Sequence, residues 1–173
     1  MPMVSGLEIV GQHEEADGIR IERVMRPTIT GVLLRKLRHG IHVTGRARNV
    51  LMEDCSQMVI GNNCFGHNAD YGVERELCTG VTLRNCRDII LSSSQILDSA
   101  PYGIRLDNSS DITMTAMTVQ DRRNPPLQKS AVYWTGSPGQ SIVTACRFAG
   151  YLERPFVAEP VPVYSACLPS QNG

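Results

Sequence analysis

Val50-Leu51-Met52-Glu53-Asp54-Cys55 returns, at a shift of 31 along the chain, as Val81-Thr82-Leu83-Arg84-Asn85-Cys86, and at a second equal shift as Ile112-Thr113-Met114-Thr115-Ala116-Met117. Each copy alternates apolar with polar side chains and is rich in residues that suit a pleated, half-buried surface, which is the period-two signature of a strand with one buried face. The breaks between such segments carry Gly, Asn, Asp and Ser, the residues of turns and left-handed bends.

The same shift relates Tyr71-Gly72-Val73 to Tyr102-Gly103-Ile104, and Met58-Val59-Ile60 to Ile89-Ile90-Leu91. Upstream, Gly18-Ile19-Arg20-Ile21 recurs as Gly40-Ile41-His42-Val43 at a shift of only 22, so the repeat length varies. Ala131-Val132-Tyr133-Trp134 and Ser141-Ile142-Val143-Thr144 read as weaker copies. A few short strands cannot stand alone, but stacked repeats let each strand pair with its counterpart about 4.8 Å away in the next coil. The expected fold is therefore all-β, a parallel β-solenoid. No helix-period pattern of ordinary length interrupts the strands, which argues against alternating βαβ units.

At 173 residues the chain suits one domain with one core. The expected layout is a single domain over residues 1–173, with repeats over about 18–148 and a Pro-rich tail or cap over 149–173. No stretch approaches the apolar length of a membrane span. Seventeen basic residues balance seventeen acidic ones, so no net field draws the molecule to nucleic acid or to an anionic bilayer, and any charge-based function must be local. Fifteen of the basic residues are Arg, whose planar fork suits carboxylate or phosphate. Six cysteines without a C-x-x-C pair read neither as a disulfide scaffold nor as a zinc site. The opening Met-Pro-Met-Val-Ser-Gly has neither a basic n-region nor an apolar h-region, so no secretory signal is read there.

Gly-Ile-x-hydrophobic followed by Asn-Val-x-hydrophobic-x-Asp-Cys, as in Asn49 to Cys55, resembles the right-handed parallel β-helix repeats of the pectate-lyase-like superfamily, over roughly residues 18–148. That resemblance implies a right-handed parallel β-helix, whole or the C-terminal part of a longer one. It implies an extracellular or virion-associated setting and a polysaccharide partner, while the charge balance and the lack of an apolar span already set aside nucleic acid and membrane as partners. If the chain is an enzyme, it implies a polysaccharide lyase, glycoside hydrolase or epimerase. A phage-tail or cell-surface role would imply a homotrimer. Where such members carry Gly-Asn, this chain has Ala116-Met117 and Ala145-Cys146, so an asparagine ladder is expected to be partial. The polygalacturonase set of Asn-Thr-Asp, Asp-Asp, Gly-His-Gly and Arg-Ile-Lys is absent, with Gly66-His67-Asn68 only a fragment of the third. The scaffold hosts many reactions, so function must come from a site.

Alternation around Gly40 turns Ile41 and Val43 inward and His42 and Thr44 outward. Stacking then assembles one outward column of Arg20, His42, Glu74, Arg105 and Tyr133, and a second of Glu22, Thr44, Glu76, Asp107 and Thr135. Such a strip suits an extended acidic polymer, with Arg20, His42, Arg105 and Tyr133 as substrate-binding residues. Glu74 and Asp107 are the candidate proton-transfer pair, about 6–8 Å apart. The plainer reading is a solvated sheet whose opposite charges pair with one another. A third column, Glu53 and Arg84 followed by Thr115, reads as plain surface.

The expected function is a carbohydrate-active domain that binds an acidic polysaccharide and, as a further step, cleaves or epimerises it. The alternatives are a non-catalytic structural or attachment module and a protein-binding scaffold. His39 and His42 lack a third metal ligand at useful spacing. Asp98, Asp107, Asp111 and Asp121 fall in loops or strand ends that could take calcium, as resembling lyases do, but without a calcium-loop signature they read first as turn and capping residues, so no cofactor is expected and calcium is kept as the lesser alternative. Gly136-Ser137-Pro138-Gly139-Gln140-Ser141 lacks a Gly-Lys-Ser/Thr ending and reads as a turn between coils. Cys55 and Cys86 stack in the interior as small apolar residues, at a spacing that also permits a disulfide.

Overall fold

The computed structural model describes residues 2–13, 17–22, 28–30, 32–35, 39–44, 46–47, 50–61, 64–66, 79–158, 162–165 and 167–170. The described residues contain strands and no helix. Every strand pairing is parallel and joins one coil to the next, which is the β-solenoid that the repeat demands. Sheet 1 stacks seven strands, Met3–Ser5, Thr28–Thr30, Val50–Glu53, Val81–Arg84, Tyr102–Asp107, Ser130–Thr135 and Arg154–Val157. Sheet 2 stacks Glu8–Val10, Leu33–Arg35, Ser56–Gly61, Arg87–Ser92, Ser110–Thr115, Ile142–Thr144 and Val163–Ser165. Sheet 3 stacks Arg46–Ala47, Cys64–Gly66, Gln95–Leu97, Thr118–Gln120, Arg147–Ala149 and Leu168–Ser170. Asp17–Glu22 and His39–Thr44 form a separate two-stranded sheet.

Pleating sends alternate residues into a shared core, and parallel register places like on like. Met52, Leu83, Leu106 and Trp134 form one buried file of sheet 1, in register from coil to coil. Met58, Ile89 and Ile112 form a file of sheet 2, and Phe65, Ile96, Val119 and Phe148 a file of sheet 3. Each fully buried aliphatic or aromatic side chain contributes about 1.5–3 kcal/mol relative to an exposed one, so these files hold the coils together. Trp134 is buried without loss because its indole N–H donates to the Ser109 carbonyl at 2.9 Å.

Between sheets 1 and 2 the chain turns in two residues after Val50–Glu53, Val81–Arg84 and Tyr102–Asp107. Asp54, Asn85 and Asn108 take left-handed φ values of 54°, 52° and 48°, and Gly136 continues the column at 86°. Asp and Asn tolerate this region because their short polar groups bond locally. Here they bond vertically: the Asn108 amide donates to Asn85 Oδ1 at 3.0 Å, and the Asn85 amide to Asp54 Oδ1 at 3.1 Å. The asparagine ladder expected to be partial thus spans three coils, at a different corner from Ala116 and Ala145. The next residue at each turn caps the carbonyl two positions back: Cys55 to Glu53 O at 3.2 Å, Cys86 to Arg84 O at 3.3 Å and Ser109 to Asp107 O at 3.1 Å. A thiol and a hydroxyl serve alike because the position asks for a small side chain with a donor.

Cys55 and Cys86 stack inside as expected, and both are free thiols. They titrate as one unit. The hydrogen bond between the thiols, with burial added, pushes the Cys86 thiol well up, whereas at Cys55 the same bond outweighs burial, which acts the other way, and draws the thiol down to about 7.

Three expectations need correction. The register of sheet 1 advances by 31 from Val50 to Val81 but by only 23 from Val81 to Ile104, and Ile112 pairs with Ile89 in sheet 2. Strands of both sheets alternate alike, so the longer step matched a sheet 1 strand to a sheet 2 strand one corner away. The outward strip divides too: Arg20 pairs with His42, and Glu22 with Thr44, in the two-stranded sheet, whereas Arg105 pairs with Tyr133, and Asp107 with Thr135, in sheet 1. Arg84 is followed by Asp107 rather than by Thr115. Glu74 and Glu76 lie outside the described residues, and His39 and His42 are described in their backbone only. Finally, where a Pro-rich tail or cap was expected, Arg154–Val157, Val163–Ser165 and Leu168–Ser170 add a further coil. Pro155 and Pro169 fit there because these are the last strands of their sheets, where a missing N–H costs least.

Candidate functional site

The outer face of sheet 1 gathers what remains of the expected strip. One column runs Leu51, Thr82, Arg105 and Tyr133, and the next Glu53, Arg84, Asp107 and Thr135, each in register. Arg105 Nε lies 2.9 Å from the Asp107 carboxylate, Thr135 donates to Asp107 Oδ1 at 3.2 Å, and Arg84 approaches Asp107 at 4.0 Å. Arg84 also donates to Glu53 at 3.0 Å, so two cations and two carboxylates alternate across three coils. The bond from Asp107 and its charge hold the Arg105 pKa above its ordinary value, so Arg105 is a permanent cation. It cannot serve as a base, but its terminal amino groups can grip a further acceptor.

Beside these charges the Tyr102 and Tyr133 rings stack, centroids 4.4 Å apart and planes within 13°. Burial first, and Tyr133 second, raise the Tyr102 pKa, which keeps the phenol a hydrogen-bond donor. Because the rings cover each other, the surfaces they turn to each other are closed to a ligand, which reaches edges, hydroxyls and outer faces.

Arg105, Asp107 and Tyr133 are therefore brought together, Arg20 and His42 sit in the smaller sheet, and Glu74 is not described. Tyr102, Arg84 and Glu53 join the cluster although the alignment at a shift of 31 set them elsewhere. The signal for them lies in Gly80-Val81-Thr82-Leu83, which matches Gly103-Ile104-Arg105-Leu106 at a step of 23.

The four aspartates weighed for calcium are each engaged by protein donors. Asp98 holds Arg122 through a bidentate pair and the Arg122 N–H, Asp107 holds Arg105, and Asp111 accepts the Gln140 N–H at 3.0 Å. Asp121, fully buried, accepts from Arg123 Nε and Nη2 at 2.7 Å each and from the Leu127 and Gln128 N–H groups at 2.7 and 2.9 Å. Among the described residues no group of three or more His, Cys, Asp or Glu is placed to hold a metal ion.

Fold and face together define a parallel β-solenoid with a charged, tyrosine-bearing sheet. The chain matches the family described as the right-handed β-helix region over residues 12–151, most of its length, and belongs to it. No match was found among the curated proteins or the solved structures.

Proposed function

We propose that the domain binds an acidic polysaccharide on the outer face of sheet 1. The observation that carries this reading is the stacked Tyr102–Tyr133 pair standing beside the Glu53–Arg84–Asp107–Arg105 array. Arg105 and Arg84 receive uronate carboxylates, and the tyrosines meet sugar rings and hydroxyls with their edges and phenols. Among the described residues, Asp107 is the acid of the expected proton-transfer pair on this face. It is held by Arg105 and Thr135, which favours a non-catalytic binding module as the second reading.

Titration calorimetry with oligogalacturonates tests the binding. Arg105→Ala is expected to weaken affinity about tenfold or more, as loss of a hydrogen bond to a charged group does, and Tyr133→Ala to weaken it further. Unchanged affinity in both variants would overturn the reading. Incubation with polygalacturonate then separates enzyme from module: turnover that Asp107→Asn abolishes supports catalysis, and binding without turnover supports the module.

A further inference from the structure

At the corner between sheets 1 and 2 the turn takes two residues in three successive coils, Asp54-Cys55, Asn85-Cys86 and Asn108-Ser109, and six in the next, Gly136 to Ser141. The four extra residues form a ledge over the corners before it, and a cleft of about 580 Å³ lies there. The ledge is fixed: the Asp111 N–H donates to Pro138 O at 3.1 Å, the Gln140 N–H returns to Asp111 Oδ1, and Ser141 Oγ bridges Pro138 O and the Ile112 N–H. Gly139, at φ 61°, lets the ledge close down, since a Cβ there would stand 2.6 Å from Asp111 Oδ1.

The cleft is lined by Asn85, Asn108, Arg87, Asp111, Ser110 and Ser137. Its amides are oriented before any ligand arrives, because the ladder fixes them. Asn108 donates downward to Asn85, which leaves its own carbonyl oxygen as an acceptor. Asp111 is already bonded through one oxygen to Gln140 and through the other to Ser110, yet each oxygen keeps a lone pair. Arg87 is 69% exposed and stands 3.7 Å from Asp111, against 3.0 Å or less for the carboxylate partners of Arg84, Arg105, Arg122 and Arg123. Its donors are the least committed of these five.

One cation and one anion leave the lining without net charge, so neither an anion nor a cation gains from entering as such. An apolar ligand would strip water from Asn108 and Asp111 without replacing its hydrogen bonds. A ligand with closely spaced hydroxyls, each donor and acceptor at once, satisfies guanidinium, carboxylate and amide together. We propose that this cleft is a binding subsite for one uncharged, hydroxyl-rich pyranose unit, held by Arg87, Asp111 and Asn108. The proposal stands on the ledge and the ladder and is independent of the sheet 1 face.

The test is an NMR titration of the whole chain with the methyl glycosides of glucose, galactose, mannose and N-acetylglucosamine, with the methyl glycoside of galacturonate, its carboxylate free, beside them. At least one neutral glycoside is expected to move the Asn85 and Asn108 side-chain amide signals and Arg87 Nε–H saturably. Arg87→Ala, an exposed change that leaves the fold alone, is expected to weaken that affinity about tenfold. Arg105→Ala is expected to leave it unchanged. The proposal is overturned if no neutral glycoside moves these signals, if only the charged galacturonate glycoside does, or if Arg87→Ala has no effect. Shifts confined to Tyr102, Arg105 and Tyr133 would sink the cleft while supporting the sheet 1 reading.

Discussion

Asp121 shows how much one side chain can organise. The segment from Arg122 to Lys129 leaves the solenoid between Thr118–Gln120 and Ser130–Thr135, and the Asp121 carboxylate gathers its backbone N–H groups and Arg123. Burial alone would raise the Asp121 pKa, but Arg123 and three backbone N–H groups outweigh it, so the net shift is downward. A depressed folded pKa means stability that is present above the unfolded value near 3.8 and lost as pH falls below it, through the folded value. Asp121→Ala is expected to cost about 3 kcal/mol in urea unfolding, because it leaves a partly buried cation and several N–H groups without their acceptor. The destabilisation should shrink on acidification below that value. A mutant as stable as the wild type at neutral pH would contradict this account. The sequence presents Asp121 as a turn residue, which is correct in kind. Its weight was not legible, because donors up to seven residues ahead fold back onto it only once the loop is built.

At the scale of the element, the corner decides the register. Asn85 combines a left-handed backbone with two ladder bonds, and two substitutions separate those contributions. Asn85→Gly keeps the backbone at ease and loses the ladder, at about 1 kcal/mol for exposed hydrogen bonds. Asn85→Ala also meets the left-handed penalty, so it is expected to cost about 2 kcal/mol. Equal midpoints in thermal unfolding would show that the backbone conformation carries no strain there. The strands themselves were legible from alternation, and so was the inward stacking of Cys55 and Cys86. The second step of the repeat was not: Arg87-Asp88-Ile89-Ile90-Leu91 matches Ser110-Asp111-Ile112-Thr113-Met114 at a step of 23, but a like-patterned strand in the neighbouring sheet offered an equally good match at 31. That slip hid Tyr102, Arg84 and Glu53 from the candidate site and joined Arg20 and His42 to it. Arg105, Asp107 and Tyr133 survived because their mutual register does not depend on the step.

For the whole molecule, coil length varies while the stacking stays strict. The step in sheet 1 is 31 from Val50 to Val81 and 23 from Val81 to Ile104, and the strands stay paired in register at both steps. The coils extend beyond the repeats legible in sequence, from Met3–Ser5 at one end to Leu168–Ser170 at the other. Trp134, Phe148 and Phe156 close the core near the last coils, with the ring of Phe156 6.3 and 6.4 Å from the other two. Both proposed ligand sites depend on this stacking, since each is assembled from side chains more than twenty positions apart in the chain. Scalar couplings across backbone hydrogen bonds, measured by NMR on labelled protein, test it most directly. Asn85 N–H should couple to the Asp107 carbonyl, 2.9 Å away, and Ser93 N–H to that of Thr115 at 3.1 Å. Coupling of Asn85 to Thr115 instead, as a uniform step of 31 would require, would contradict the fold and remove both sites with it.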